Sequence, residues 1–355
     1  MRNASGRQRM RPVRRSALTT LALAAVAATG LVACGGSDDT AGGPVTLRLG
    51  YFPNLTHATP IVGIERGIFA KTLGSGVKLE TKTFNAGPAA VEALFSGAVD
   101  AVYIGPNPTV NAWAQSRGKA IKVVAGAASG GVAFVVKSQI TTPEQLKGKK
   151  IATPQLGNTQ DVALRYWLRQ HGLNTTRDGG GDVAILPQEN PVTIDAFASG
   201  AIDGAWVPEP YASRLARAGG RVLVDERDLW PDGRFVITNL VVSAGFLDRH
   251  RAAVKSLISA SVESNRYIAA NPAEAQQALS TGIGTLTGKP LDLKQVAEAW
   301  KSLTFLDDPL ADSLRAGAQH AREVGLLNPV DLKGIYDLSL LNEVLAAQGS
   351  AKVKT

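Results

Sequence analysis

The run Thr153-Pro154-Gln155-Leu156-Gly157-Asn158-Thr159-Gln160-Asp161 gathers glycine, amides and hydroxyls where the hydrophobic pattern changes period. Before it, Lys149-Lys150-Ile151-Ala152 reads as a strand; after it, Val162, Tyr166 and Trp167 recur at helical spacing. The run is therefore a strand-to-helix turn, with Asn158 placed to cap the helix and Gly172 to end it in the left-handed conformation. The first N–H groups of such a helix have no partner inside it and carry the positive end of its dipole. Gly157, Asn158 and Thr159 are thus positioned to bind a small oxyanion without a charged side chain, and the turn is expected to form one jaw of a clamp.

Other chemistry finds little support. The chain has four histidines and no His-Glu-x-x-His zinc motif. Gly282-Ile283-Gly284-Thr285 is no phosphate-binding loop, because no strand precedes it. There is no Gly-x-Ser-x-Gly elbow, although a dispersed Ser-His-Asp triad stays open. Cys34 is the single cysteine, which excludes an internal disulfide, a cysteine metal site and a catalytic thiol in the folded body. No metal or cofactor is expected. Nothing signals oligomerisation, so a monomer is expected.

The N-terminus accounts for most of the charge. Met1 to Arg15 holds six arginines and no acid, and an apolar run from Ala17 to Ala33 follows. A basic segment, a short apolar core and small residues near position 33 describe a secretory signal over 1–33, not a membrane span. Leu31-Val32-Ala33-Cys34 resembles the bacterial lipobox, which implies a diacylated Cys34 holding the mature chain on the extracytoplasmic face of the cell membrane. Arg14-Arg15 with Leu18 is a partial twin-arginine pattern and leaves the export route open. Without the leader, 32 Lys and Arg face 30 Asp and Glu. The balance is then +2, and nucleic-acid binding is not indicated. Residues 34–44, rich in Gly, Ser, Asp and Thr, suit a flexible tether. About 310 residues remain, enough for two lobes.

The elements that must hold the turn follow a β-α-β-α-β order from Val45 to Ile104, which predicts a parallel sheet with crossover helices. The order recurs 103 residues later. Pro88 to Asp100 lies against Pro191 to Asp203 with six of thirteen positions identical, and Leu47 to Gly50 falls opposite Lys150 to Thr153. That period is too long for a solenoid and points to two related α/β lobes. From Leu247 the pattern turns helical, and a tail made only of helices is expected to pack on the first lobe without extending its sheet. The lobes are placed at 45–136 with 240–355, and at 137–239. The chain is expected to cross between them near Val136–Thr142 and near Thr238–Val242.

Parallel sheets bind ligands beyond the C-terminal ends of their strands. Here those junctions are 52–57, 85–88, 104–107, 129–131, 155–159, 188–190 and 207–210, rich in Gly, Pro, Asn, Thr and Gln and poor in charge. Gly50-Tyr51-Phe52-Pro53-Asn54, Phe84-Asn85-Ala86-Gly87-Pro88, Tyr103-Ile104-Gly105-Pro106-Asn107-Pro108 and Pro154 to Asp161, together with the lipobox, resemble the substrate-binding lipoproteins of ABC importers for aliphatic sulfonates, taurine and nitrate. The resemblance covers about 45 to 325. It implies a type II periplasmic-binding-protein fold, two lobes joined by two hinge strands, delivering a small anionic solute to a permease and its ATPase. It also implies a cleft lined by Asn54, Gly87, Gly105, Asn107, Gly130, Gln155, Gly157, Asn158, Thr159 and Glu209. His57 is a candidate donor and Trp206 a candidate wall. Two roles stand open for Glu209: contact with the ammonium of an amino-sulfonate, or stabilisation of a helix start. Asn107 and Asn158 are either ligand contacts or caps. Sulfonate, taurine, nitrate or bicarbonate, and a thiamin pyrimidine precursor remain alternatives as ligand. The rival enzyme class is the pyrimidine synthase of the same fold, whose cysteine-rich segment this chain lacks.

Overall fold

The computed structural model describes residues 43–355. The expected signal over 1–33, Cys34 and nearly all of the expected tether lie outside the described residues. The strands are β1 (Val45–Tyr51), β2 (Val77–Thr83), β3 (Ala101–Ile104), β4 (Ile121–Gly130), β5 (Val132–Lys137), β6 (Lys150–Thr153), β7 (Ala184–Pro187), β8 (Gly204–Pro208), β9 (Gly220–Asp225), β10 (Val236–Ser243) and β11 (Leu303–Phe305). They form one sheet in the order β11-β4-β10-β3-β1-β2 and another in the order β7-β6-β8-β5-β9. Strand β1 pairs in parallel with β2 and β3, and β6 pairs in parallel with β7 and β8.

The sequence repeat is a repeat of contacts. Helices Gly87–Phe95 and Asn190–Ala198 occupy equivalent places. Ser96 and Ser199 each donate to a carbonyl three residues back, at 3.2 Å. Gly97 and Gly200 follow with φ of 70° and 78°, a conformation that glycine adopts without steric cost. The main-chain N–H of Arg48 donates to Asp100 Oδ2, and that of Lys150 to Asp203 Oδ2, at 2.9 Å in both cases. In return, Asp100 N–H donates to Arg48 O and Asp203 N–H to Lys150 O, each at 2.8 Å. The identical aspartates therefore fasten the third strand of each half to its first.

Both sheets are mixed, not parallel as expected. Strand β10 runs antiparallel to β3 and β4, and β5 antiparallel to β8 and β9. These strands enter from the opposite sheet without a crossover helix, so they run in the reverse sense. The first crossing lies at Gly130–Gly131 and not near 136–142. Val132–Lys137 continues the apolar pattern without a break, but two successive glycines with φ of 79° and 70° redirect the chain. A Cβ at Gly130 would lie 2.2 Å from the Ser302 carbonyl oxygen. The second crossing falls between β9 and β10, through the turns Glu226–Leu229 and Pro231–Gly233, ahead of the expected 238–242.

The tail helices Arg251–Ala270, Pro272–Thr287, Leu293–Trp300, Ala311–Glu323 and Ser339–Ala347 follow. Val254, Leu257, Leu279 and Leu341 from this tail share one core with Leu47 and Leu49 of β1. Phe134, Ile151, Trp167 and Trp206 anchor the core of the second sheet. The tail nevertheless extends the first sheet, contrary to expectation. Leu303–Phe305 adds β11 antiparallel to β4, a strand too short for a periodic signal. Pro272 opens the helix Pro272–Thr287, since a first-position proline lacks only an N–H the helix could not have used.

Replacing Asp100 with Ala removes a buried acceptor for the main chain and side chain of Arg48. The expected loss is about 2 kcal/mol, visible as a lower urea midpoint with an unchanged slope.

Candidate functional site

A hollow of about 390 Å³, counting its mouth, opens where the two sheets face each other. Its enclosed part is only about 30 Å³, room for a very small solute in this arrangement of the two sheets. From first-sheet elements it is lined by Phe52, Asn54, Thr56, His57, Asn85, Ala86, Gly87, Gly105, Pro108 and Ile237. Across from these stand Pro154, Asn158, Thr159, Gln160, Asn190 and Pro208. Six of the seven strand-end junctions meet here. No lining residue has a side chain that is charged at neutral pH.

Each polar side chain is set by its own turn. Asn54 caps the short turn Leu55–His57, its Oδ1 accepting from Thr56 N–H at 3.0 Å and Thr56 Oγ1 at 2.8 Å. With Oδ1 doubly engaged, the amide NH2 is the end left over. His57 Nδ1 accepts from the Phe52 N–H at 3.2 Å, and its ring stacks on Phe52 at 4.3 Å. The ring proton therefore sits on Nε2, making the remaining nitrogen a donor. Burial pushes the His57 pKa down to about 3, so the imidazole is neutral.

The opposite jaw follows the same rule. Asn158 Oδ1 caps helix Thr159–Gln170 through the Asp161 N–H at 2.9 Å, and its Nδ2 donates to Gln160 Oε1 at 2.9 Å. Gln160 is thereby left with its NH2. Neither Thr159 nor Gln160 N–H has a protein acceptor among the described residues. Beneath the turn, buried Asp161 accepts from Thr153 Oγ1 at 3.0 Å, Gly157 N–H at 2.9 Å and Arg165 Nε at 3.1 Å. The ion pair of Asp161 and Arg165 is almost fully buried; it sets the loop's shape while the hollow itself stays free of charge. Helices beginning at Gly87, Pro106, Thr159 and Asn190 all start at the hollow. Their positive ends converge there.

Of the residues expected at the site, Asn54, His57, Gly87, Gly105, Asn158 and Thr159 line this hollow. Asn158 is both cap and wall. Gly157 does not line it, since its N–H is committed to Asp161. Gln155 lines an adjoining depression with Phe84, Asn85 and Glu189. Asn107 is buried and turns away from the hollow to donate to the Gly317 carbonyl at 3.0 Å. Gly130 belongs to the crossing. Trp206 is fully buried, stacked on Phe134 at 5.3 Å and donating to Glu226 Oε2 at 2.7 Å, so it forms core and not wall. Glu209 contributes only main chain near the hollow, its carbonyl accepting from Leu55 N–H at 3.1 Å. Its carboxylate turns away to accept from Ser213 N–H at 3.1 Å and Ser213 Oγ at 2.8 Å, in a separate pocket with Arg217 and Glu298. In the sequence Gln160, Asn190 and Thr56 stand out only as members of their junctions or as neighbours of them, and Ile237, on β10, carries no signal.

The NMT1-like family model matches residues 40–283. The taurine-binding periplasmic protein of Escherichia coli (strain K12) is 31% identical over 207 residues, covering 58% of this chain and 61% of that one. The chain thus spans about three fifths of that relative's length. Among solved structures, the alkanesulfonate-binding protein SsuA from Xanthomonas axonopodis pv. citri bound to MOPS superposes with a TM-score of 0.69 at 21% identity. It covers 84% of this chain and 99% of its own. The periplasmic nitrate-binding protein NrtA from Synechocystis PCC 6803 gives 0.72 at 16% identity, over 86% and 89%. The architecture is the type II periplasmic-binding-protein fold.

Below pH 6.5 the unfolded chain takes up a proton on His57 that the folded chain refuses until about pH 3. Stability contributed by the neutral ring is therefore present above pH 6.5 and lost as pH falls toward 3. A urea midpoint series over that window should show a steeper decline for the natural chain than for His57→Gln.

Proposed function

The chain belongs to the NMT1-like family, and on that premise we propose that it is the extracytoplasmic solute-binding component of an ABC importer, capturing a small oxyanion of the aliphatic sulfonate class. The observation that carries this reading is the polarity of the hollow: the side-chain hydrogen bonds around Asn54, His57, Asn158 and Gln160 occupy the acceptors of all four, leaving the amide groups of Asn54 and Gln160 and the Nε2–H of His57 as donors. A sulfonate offers three oxygens and no donor, the complement of such a wall. Neutral donors and helix starts attract it at roughly 0.3–1 kcal/mol per helix, more where partly buried. They do so without the desolvation cost of an unpaired lysine or arginine.

Donors come from both sheets, so ligand that touches both favours the closed arrangement over the open one. In this reading the moving bodies are the two sheets with their helices, turning about Gly130–Gly131 and the segment 226–235. The ligand leaves unchanged, since the wall has no thiol or carboxylate nucleophile, and an imidazole with a pKa of about 3 is a poor base. Taurine, nitrate and bicarbonate fit the same role as alternative cargo. No described helix is long and apolar enough to cross a membrane. A lipid on Cys34 would hold the receptor beside its permease and ATPase.

In a thermal-shift series on chain lacking residues 1–34, an alkanesulfonate at a hundredfold excess over its Kd should stabilise by about 2.7 kcal/mol. Taurine, nitrate, sulfate and bicarbonate belong in the same panel, and a panel without any shift would end the proposal. Gly105→Ala should weaken binding about tenfold by calorimetry, because its Cβ would lie 2.5 Å from Thr159 Oγ1 across the hollow. Cys34→Ser should move the protein from the membrane fraction to the soluble fraction of the producing cells.

A further inference from the structure

Among the acceptors at the hollow, one is both buried and without a partner. Asn190, the first residue of helix Asn190–Ala198, lines the hollow and is 4% exposed, yet its Oδ1 is buried without a hydrogen-bond partner. The neighbouring acceptors are occupied: Asn54 Oδ1 by Thr56, His57 Nδ1 by Phe52, Asn158 Oδ1 by Asp161 and Gln160 Oε1 by Asn158. A buried amide oxygen left unpaired is unfavourable, and a ligand that brings a donor to it removes the penalty.

The surroundings say what kind of donor. Glu189, adjacent in sequence, lies at the mouth, where its Oε2 accepts from Asn85 Nδ2 at 2.9 Å, and it forms no ion pair among the described residues. It lines the depression that shares Asn85, Ala86 and Pro154 with the hollow. The site therefore offers two kinds of partner. Donors at 54–57 and 158–160 line the hollow together with Asn190, whose amide oxygen is unpaired, and the Glu189 carboxylate lies in the adjoining depression. Glu209, the other carboxylate near this region, is already bonded to Ser213 and faces elsewhere.

We propose that Asn190 is the specificity-determining residue of this receptor, accepting a hydrogen bond from an ammonium or hydroxyl group on the far end of the oxyanion ligand. The proposal rests on the solute-receptor function above and adds to it a choice among solutes. A plain alkanesulfonate satisfies the donors only and leaves Asn190 Oδ1 buried and unpaired. A sulfonate of the same length that carries a donor satisfies both.

The test is calorimetric titration with three two-carbon sulfonates that differ only at the far end: taurine with an ammonium, isethionate with a hydroxyl, and ethanesulfonate with neither. The natural chain should bind the better of the two donor-bearing ligands about tenfold or more tightly than ethanesulfonate. In Asn190→Leu that ratio should fall to about one. In Asn190→Asp, which keeps an acceptor and adds charge, it should rise for taurine over isethionate. The Asp variant also guards against a result caused by misfolding. Equal binding of all three by the natural chain would overturn the role of Asn190 and leave the receptor function intact. So would a Leu variant that weakens all three alike. Binding of none would overturn both the role of Asn190 and the sulfonate class of the ligand.

Discussion

Unpaired main-chain N–H groups at helix starts, brought from two sheets to one charge-free hollow, are the constraint on which the rest of the structure depends. A helix cannot satisfy its first N–H groups internally. Where four such starts are gathered and partly shielded from water, something else must satisfy them. The lining side chains compensate only in part: Asn158 Oδ1 caps the Asp161 N–H, while the Thr159 and Gln160 N–H groups have no protein acceptor among the described residues. Charge is kept below the surface in the pair of Asp161 and Arg165. Removing one partner of such a pair strands the other in the interior, a change that costs several kcal/mol. The loop from Thr153 to Asp161 thus keeps its shape through ionic contacts that the ligand never meets.

The duplicated halves explain how two sheets present matching ends. In each, a serine, a left-handed glycine and an aspartate tie the crossover helix to the next strand and that strand to the first. With those distances held, the helix that precedes the aspartate begins at the same place relative to its sheet. The two hollow-facing helices Gly87–Phe95 and Asn190–Ala198 are products of this one device used twice. Their first residues differ: Gly87 brings bare main chain, whereas Asn190 brings an amide.

Contacts between the two sides include Leu55 N–H to Glu209 O, Asn111 Nδ2 to Gly157 O at 3.4 Å, Arg169 to the Glu323 carbonyl at 2.8 Å, Asn85 Nδ2 to Glu189 Oε2 at 2.9 Å and Arg217 to Glu298 at 3.1 Å. His320, on the tail helix Ala311–Glu323, adds a ring stacked on Tyr166 of the second sheet's helix at 3.6 Å. Near the second crossing, Glu226 lies buried against Trp206, and burial raises its pKa to about 7. Its folded pKa exceeds the unfolded value, so its stabilising contribution is full below pH 4.5 and lost as pH rises through 7. His57 has the opposite slope in the overlapping range. On the acidic side of the stability profile these two buried groups therefore act against each other.

The sequence by itself determined which segments are strands and helices over most of 45–249, the equivalence of the two halves, and six of the seven junctions that meet at the hollow. These depend on local physics: hydrophobic period, caps such as Asn158, and left-handed glycines such as Gly97, Gly172 and Gly200. Only the tertiary structure decided where the chain changes sheets, because β5 continues the apolar pattern of β4 and the change is made by the φ of Gly130 and Gly131. It also decided where side chains at the right junctions point. Glu209, Asn107 and Trp206 have register positions beside the hollow, but each found a better partner elsewhere, in Ser213, the Gly317 carbonyl and Glu226. Side-chain direction follows from which hydrogen bonds long-range packing leaves available. For Asn190 it left the amide oxygen with none.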